Sequence, residues 1–468
     1  VTGKAGFAAV FDVHFRRALL VMRAGFARVK SDGFAGTTFI LLAVTTVPVA
    51  LVVGSDSWFN SDTLYSFSLR TVTIEGLFAN HSGHWITIPL ILHLALYKIF
   101  QLHSYYPYEL LSVVSHAVIV GLIYIVMRRM LVRAWLAAAV AATMLFFGAG
   151  AFNIFNSFQI SLNGSIVCGL AFLLLVEHDG PIDRRNLAGV GIAILGLMTS
   201  AMMGPMLLMV FAAILLRRGF FVAVAHLALP AAILVIWFVI YGTTQSEYRG
   251  TNIQTLEMIV RLTTETLGAL GQGPVAGSVL GGVIVFGLWC ALREAVRERS
   301  VASLVLPVAL LVGWLSFSIA AALRAGNLSF DPDLPAASRY LHVGAALLLP
   351  LIAYGGYRLA RIRSILTLVP VAALAAGLPG NFHAYLHAND EFPRYREIFL
   401  SVANSRLLDQ TPGDKYPFGK LYLPVTVAWL RSARASSDIP NTEGISKEVQ
   451  LFGDGLLAQH QDSSVKVR

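Results

Sequence analysis

Three polar stretches interrupt a chain that is otherwise largely apolar, and each carries side chains suited to hydroxyls or phosphate. The first, SDSWFNSDTLYSFSLRTVTIEGLFANHSGHW, holds Asp56, Asp62, Glu75, His81 and His84. A carboxylate there can act as general base on a substrate hydroxyl. It can also help hold a divalent cation, Mg or Mn, beside a phosphate. A purely local role also fits Asp62, as the N-cap of a helix starting at Thr63. His81 and His84 are spaced so that they could serve a metal or simply pack the loop. The second stretch, GAGAFNIFNSFQISLNG, offers Asn153, Asn156, Gln159 and Asn163. In a helix these four would fall within about 120° of arc. Amides suit sugar hydroxyls because each both donates and accepts, and they equally suit hydrogen bonds between helices. The third stretch, RAGNLSFDPDLPAASRY, places Arg339 at the head of an apolar run. A guanidinium can grip a phosphate through two parallel bonds, or snorkel to a membrane interface. Arg324 is a second such candidate. Asp331 and Asp333, beside Pro332, read as turn residues.

The elements that position these residues are membrane helices. Apolar residues make up 56% of 468 and charged residues 13%, where a soluble domain carries about 25% charged residues. A helix needs ~20 apolar residues to cross a hydrocarbon core ~30 Å thick. Eleven runs are read as spans: 34–54, 108–127, 134–152, 158–176, 187–200, 203–216, 219–242, 273–292, 301–323, 338–357 and 364–379. They are continuous rather than alternating, which predicts an all-α polytopic bundle. Cys168 and Cys290 lie inside apolar runs, so neither a disulfide framework nor a metal cluster is indicated.

Charge sets the expected orientation. Arginines recur at 128, 129 and 133; at 184 and 185; at 217 and 218; at 293, 297 and 299; and at 358, 361 and 363. With eleven spans, all five groups fall on the side of the basic N-terminal segment 1–33, which predicts that side to be cytoplasmic and the C-terminus to be outside. The net charge of +9 follows from these arginines, so nucleic acid need not be invoked. Residues Phe7 to Val29 interleave apolar and basic positions like a helix lying on the membrane surface. No small-x-small site follows the first span, so it is expected to remain as an anchor. Two places test the count. The run 187–216 is interrupted near Thr199–Ser200 and must form two helices. Ile86–Leu102 carries a narrow polar stripe of Thr87, Lys98 and Gln101, and is placed in the outer interface. The outer side then holds Ser55–Pro107, shorter loops near 150–158, 243–272 and 324–338, and a tail, 380–468, whose last ~30 residues look disordered. Residues 134–176, 187–216, 266–292 and 301–323 contain no Asp, Glu, Lys or Arg. Ion-coupled transporters usually bury ionisable groups near the midplane, so such a pump is disfavoured.

The segment NHSGHWITIPLILHLALYKIFQLHSYYPYELLSVVSHAVIVGLIYIVMRR resembles the first-loop region of GT-C-type polytopic membrane glycosyltransferases. It is closest to an uncharacterised actinobacterial group. GAGAFNIFNSFQ resembles that group's outer loop, and RAG followed by ASRYLHVGAALLLP its late loop and following span. The likeness covers about residues 34–379, which it marks out as one transmembrane domain, and does not reach the tail. It implies a polyprenyl-phosphate-linked sugar donor used at the extracytoplasmic face of the plasma membrane. It also implies a catalytic acidic residue in the first outer loop, often in a DxD-like element. Asp62 is the nearest match, although Ser61 and Thr63 flank it and no adjacent acidic pair is present. Arg339 matches a phosphate-binding arginine, and Asn153 and Gln159 match cavity-lining positions. Asp56, Glu75 and His84 complete the expected substrate-binding set. The expected function is inverting transfer of a sugar to a cell-envelope glycan, lipid or protein. The alternatives are a flippase or exporter of lipid-linked sugars, which would need a polar path across the charge-free spans, and a surface-polysaccharide polymerase or ligase.

Overall fold

The computed structural model describes residues 33–242, 252–325, 336–390, 392–418, 425–440 and 445–462. The expected surface helix within 1–33, together with Arg249, Asp331 and Asp333, lies outside the described residues, as does the side chain of Arg324.

Helix α1 spans Phe34–Val53. The first loop contains α2 (Ser61–Leu69), α3 (Ile74–Phe78) and α4 (Thr87–Phe100). There follow α5 (Tyr106–Arg129), α6 (Ala134–Leu145), the short α7 (Phe152–Phe155), α8 (Ile160–Val176), α9 (Arg184–Leu197), α10 (Met203–Arg218) and α11 (Phe220–Tyr241). The second half holds α12 (Asn252–Gly271), α13 (Pro274–Glu298), α14 (Val305–Ala325), α15 (Ser338–Ala360) and α16 (Leu368–Leu386). The tail supplies α17 (Phe392–Asn404), α18 (Val427–Ala435) and α19 (Lys447–Asp462). The described residues form an all-α polytopic bundle, and eight of its helices are long and apolar enough to cross a membrane. Helices form because no water is available in hydrocarbon to satisfy the backbone, so each segment must satisfy itself. Helices α6, α9 and α10 have 12, 14 and 16 residues. At about 1.5 Å per residue each is shorter than a ~30 Å core.

The 187–216 run does break into two helices, α9 and α10. The break is stitched by Ser165 of α8, whose hydroxyl lies 2.7 Å from that of Thr199 and donates to Gly196 O at 3.1 Å.

The arginine groups gather at one end. Arg129, closing α5, reaches Glu177 at 3.5 Å, and Arg217, closing α10, also pairs with Glu177. Arg217 grips both Asp179 oxygens, at 2.7 and 2.8 Å, and holds that carboxyl below the usual carboxylate range. Arg358 of α15 pairs with Glu294 of α13, with Arg361 3.9 Å away. The same end brings Gly356 of α15 against Leu136, the start of α6. At the opposite end Gly150 abuts His342, next to the first loop and the tail.

Three expectations change. Residues within 243–272 read as loop in the sequence, yet Asn252–Gly271 form α12, packed against α13, α14, α15 and α16. Its buried Met258, Leu262, Thr266 and Leu270 recur every four residues, a one-sided stripe that Glu257, Arg261 and Glu265 obscure in a simple hydropathy reading. Gly377 of α16 is needed for this contact, since a Cβ there would collide with Leu270 O. The polar stripe on α4 does not face one environment. Thr87 is buried, accepting from Trp85 Nε1 at 2.7 Å and donating to Leu77 O at 2.6 Å, and Gln101 lies beyond the helix at φ 53°. Finally, the tail has no separate core. Phe399, Leu400, Val402, Leu430 and Leu457 join Trp58, Phe59, Leu64, Phe67 and Tyr108 in one cluster. Helix α19, in the stretch expected to be disordered, packs on α17. The tail is tied down by Tyr97, which donates to Asp438 at 2.9 Å. Burial and that carboxylate raise the Tyr97 pKa.

Candidate functional site

Asn60, not Asp62, caps α2. Its side-chain oxygen accepts from the Thr63 amide at 3.0 Å and the Thr63 hydroxyl at 2.7 Å. Asp62 therefore stands in the first helical turn, where the helix dipole favours an anion. One of its oxygens lies 3.2 Å from His81 Nε2. The Asp62 side chain is 43% exposed, whereas His81 is 8% exposed, backed by Phe158 and Tyr65 with ring centroids at 5.1 and 5.2 Å. A buried imidazole thus fixes a carboxylate whose outer face is open.

His81 is placed by a tight turn. It exchanges two backbone hydrogen bonds with His84, at 3.0 and 2.9 Å. Between them Ser82 and Gly83 adopt φ of 50° and 83°, which glycine accommodates without steric cost. Asn80 supports the turn by accepting from the Gly83 amide at 2.7 Å. The histidines do not converge. His84 Nδ1 accepts from the Ala201 amide at 3.2 Å and meets Ser200 Oγ at 2.8 Å, which fastens the first loop to the α9–α10 turn. Arg70, not singled out from sequence, donates to Gly76 O at 3.2 Å and Asn80 O at 2.8 Å, closing the loop on itself. Trp237 of α11 stacks on Trp85 at 5.5 Å and donates to Phe78 O at 2.8 Å. Glu75 is exposed in the first turn of α3, with no hydrogen bond or ion pair to Asp62 among the described residues.

The amides share no single helical stripe, because α7 ends at Phe155 and Asn156 turns extended to cap a 3₁₀ turn, Ser157–Gln159. They are nonetheless all buried. Asn163 donates to Asn153 O at 2.8 Å and to Ser115 Oγ at 3.1 Å. Asn153 Oδ1, Asn156 Nδ2, Gln159 Oε1 and Asn163 Oδ1 have no protein partner. Part of this network is helix glue, and four polar atoms are left over. Buried amide atoms without partners carry a desolvation cost of about 1–3 kcal/mol each, which a polar ligand or ordered water relieves.

Arg339 is brought to the same region. Its backbone oxygen accepts from Asn153 Nδ2 at 3.4 Å, and neighbouring Ser338 accepts from the Phe152 amide at 3.1 Å. The Arg339 guanidinium is exposed over the Tyr340 ring at 5.2 Å, and no carboxylate pairs with it among the described residues. The segment 148–159 thus connects the two principal candidates, touching His81 through Phe158 and Arg339 through Asn153. Asp56 sits on the wall of a cavity of about 320 Å³ that also includes Glu109 and tail residues. A larger apolar cavity of about 480 Å³ lies between the α12–α13 turn and α16, and none of the candidate residues lines it.

Among the described residues, no three His, Cys, Asp or Glu side chains come together as a metal site. Asp62 and His81 could supply at most two protein ligands, and Mg is commonly held by one or two carboxylates completed by substrate phosphate and water.

No family model matches the sequence, and no curated protein matches it. Solved structures do. ArnT from Cupriavidus metallidurans bound to undecaprenyl phosphate superposes with TM-score 0.50 at 13% identity, covering 92% of this chain and 90% of that one. The fold is ArnT-like. The apo state of the same protein gives TM-score 0.49 at 16% identity, over 93% and 91% of the two chains. A match over 92% of the chain reaches beyond residues 34–379, where the sequence resemblance stopped.

Proposed function

We propose that this chain is a GT-C-type membrane glycosyltransferase, which moves a sugar from a polyprenyl-phosphate donor to an acceptor outside the cytoplasm. The observation that carries the reading is the Asp62–His81 pair, half open at the end of the first span of an ArnT-like bundle. The crystal structure of ArnT bound to undecaprenyl phosphate supports a lipid-phosphate donor. The clustering of arginines at the far end supports an extracytoplasmic site.

In this mechanism the acceptor hydroxyl attacks the anomeric carbon while Asp62 takes its proton. The bond from that carbon to the phosphate oxygen breaks, and its electron pair leaves on the polyprenyl phosphate. Attack opposite the leaving group inverts the anomeric centre. His81 orients Asp62 and supports its negative charge through one hydrogen bond. Arg339 compensates the charge that grows on the departing phosphate, the stage at which fixed donors contribute most. The buried amides of Asn153 and Gln159, each with an oxygen that has no protein partner, would serve the sugar. No step in this mechanism is routed through a divalent cation.

The test is direct. The purified chain in lipid nanodiscs is given a polyprenyl-phosphate hexose or pentose with cell-envelope acceptors, and release of polyprenyl phosphate is followed. Transfer that needs both substrates is expected. Failure to bind undecaprenyl phosphate, together with absence of transfer across the donor panel, would overturn the reading.

A further inference from the structure

The 320 Å³ cavity is enclosed by the chain after α1, the start of α5 and the tail helix α17. Its wall carries two buried polar atoms with no protein partner, Glu109 Oε2 and Trp58 Nε1. Glu109 is 0% exposed and Trp58 2%. The Glu109 carboxyl rests directly on Gly54, where a Cβ would collide with Oε1. Glycine at 54 is therefore what makes room for it. Ser57 Oγ donates to Oε1 at 3.4 Å, and Oε2 is left without a protein partner. Arg396 of α17 covers the Trp58 ring at 5.0 Å and closes the space from the tail.

The two unpartnered atoms define the ligand. An indole N–H only donates, and a carboxyl oxygen can accept. A metal cation would satisfy Glu109 and leave Trp58 unpaired. A phosphate would face Asp56 and Glu397 against the single guanidinium of Arg396. A hydroxylated neutral ligand satisfies both, because each hydroxyl donates and accepts. The half-exposed Tyr106 ring at the rim adds a flat apolar surface of the kind that sugar rings cover. The volume is near the lower end of ligand pockets, about 300–1,000 Å³, which fits one sugar residue and not a polyprenyl chain.

We infer that this cavity, formed jointly by the first loop and the tail, is a subsite for one neutral sugar residue of the acceptor, read by Glu109 and Trp58. Calling that sugar part of an acceptor rests on the transferase reading; binding a neutral sugar there does not.

Saturation-transfer NMR on the full chain in nanodiscs, with neutral methyl hexopyranosides and methyl pentofuranosides as probes, tests the idea. At least one glycoside is expected to bind, and Glu109→Gln and Trp58→Phe should each weaken it about tenfold. Undecaprenyl phosphate affinity, measured on the same samples, should stay unchanged and shows that the variants are folded. In a turnover assay Glu109→Gln should raise the acceptor KM more than it lowers kcat. Glycoside binding with no transfer would remove the transferase reading and keep the subsite. Transfer with unchanged acceptor KM in both variants would remove the subsite and keep the transferase. A wild-type chain that binds none of the glycosides, or binds Ca or Mn at Glu109 instead, would also overturn the proposal.

Discussion

At one end of the bundle Glu177 is held by Arg217 and Arg129, and Glu294 by Arg358 with Arg361 nearby. At the other end Asp62 meets a histidine, Arg339 lies over a tyrosine ring, and Glu109, Trp58, Asn153 and Gln159 keep polar atoms with no protein partner. The first arrangement neutralises charge within the protein and ties the ends of α5, α8 and α10 together. The second leaves polar capacity unused in a desolvated setting, where it costs stability. Folding gains nothing from that cost, whereas a ligand that fills the capacity does. On the proposed function, the first end holds shape and the second meets substrate, although the arginine end also keeps buried atoms without partners, at Arg218 and Asn186.

The sharpest way to break this contrast is Asp62→Asn. Loss of a positioned base costs typically 10²–10⁴-fold, and transfer should fall into that range with the unfolding temperature unchanged. Near-normal turnover would move the base elsewhere, first to Asp56 in the neighbouring cavity. Arg217→Ala should do the reverse. Removing one partner of a largely buried pair costs on the order of 3 kcal/mol, visible as earlier thermal unfolding, while kcat of the surviving folded fraction stays at the wild-type value. A matching loss of kcat would mean that the arginine end is not merely structural. Arg339→Ala should weaken donor binding about tenfold or more, as expected for a charge-assisted contact worth about 1.5–3 kcal/mol. Arg339→Lys should restore part of it, because lysine keeps the charge but not the planar fork. Donor affinity indifferent to both changes would leave Arg339 as an interfacial side chain. Smallest of all should be the effect of chelation: EDTA is expected to change turnover less than twofold, and full loss with rescue by Mg or Mn would place a cation beside Asp62 and the donor phosphate.

The same division runs through what could be read in advance. The apolar runs and the arginine spacing were legible because hydrocarbon leaves a chain few options. A long apolar segment must be a helix, and arginine avoids one face of the membrane. The break in 187–216 was visible as Thr199–Ser200 and Gly204–Pro205. Helix α12 was not, because its buried stripe is diluted by Glu257, Arg261 and Glu265, whose exposed side needs no apolar residue. The polar stretches were readable as stretches, but their partners were not. That Asp62 meets His81 depends on a four-residue turn, and that the Glu109 carboxyl fits depends on Gly54 lying across from it just after α1.

The order of residues alone determined that this is a polytopic helical protein with its arginines at one end and its amides and first-loop carboxylates elsewhere. These properties are local, set by hydrogen-bonding need and hydropathy within each segment. Only the tertiary structure decided that the tail completes the first loop's core, that His84 is engaged by the α9–α10 turn while His81 meets Asp62, and that segment 148–159 touches both His81 and the backbone of Arg339. Those outcomes depend on contacts between residues up to several hundred positions apart, such as Tyr97 with Asp438, and no periodicity along the chain encodes a distance across it.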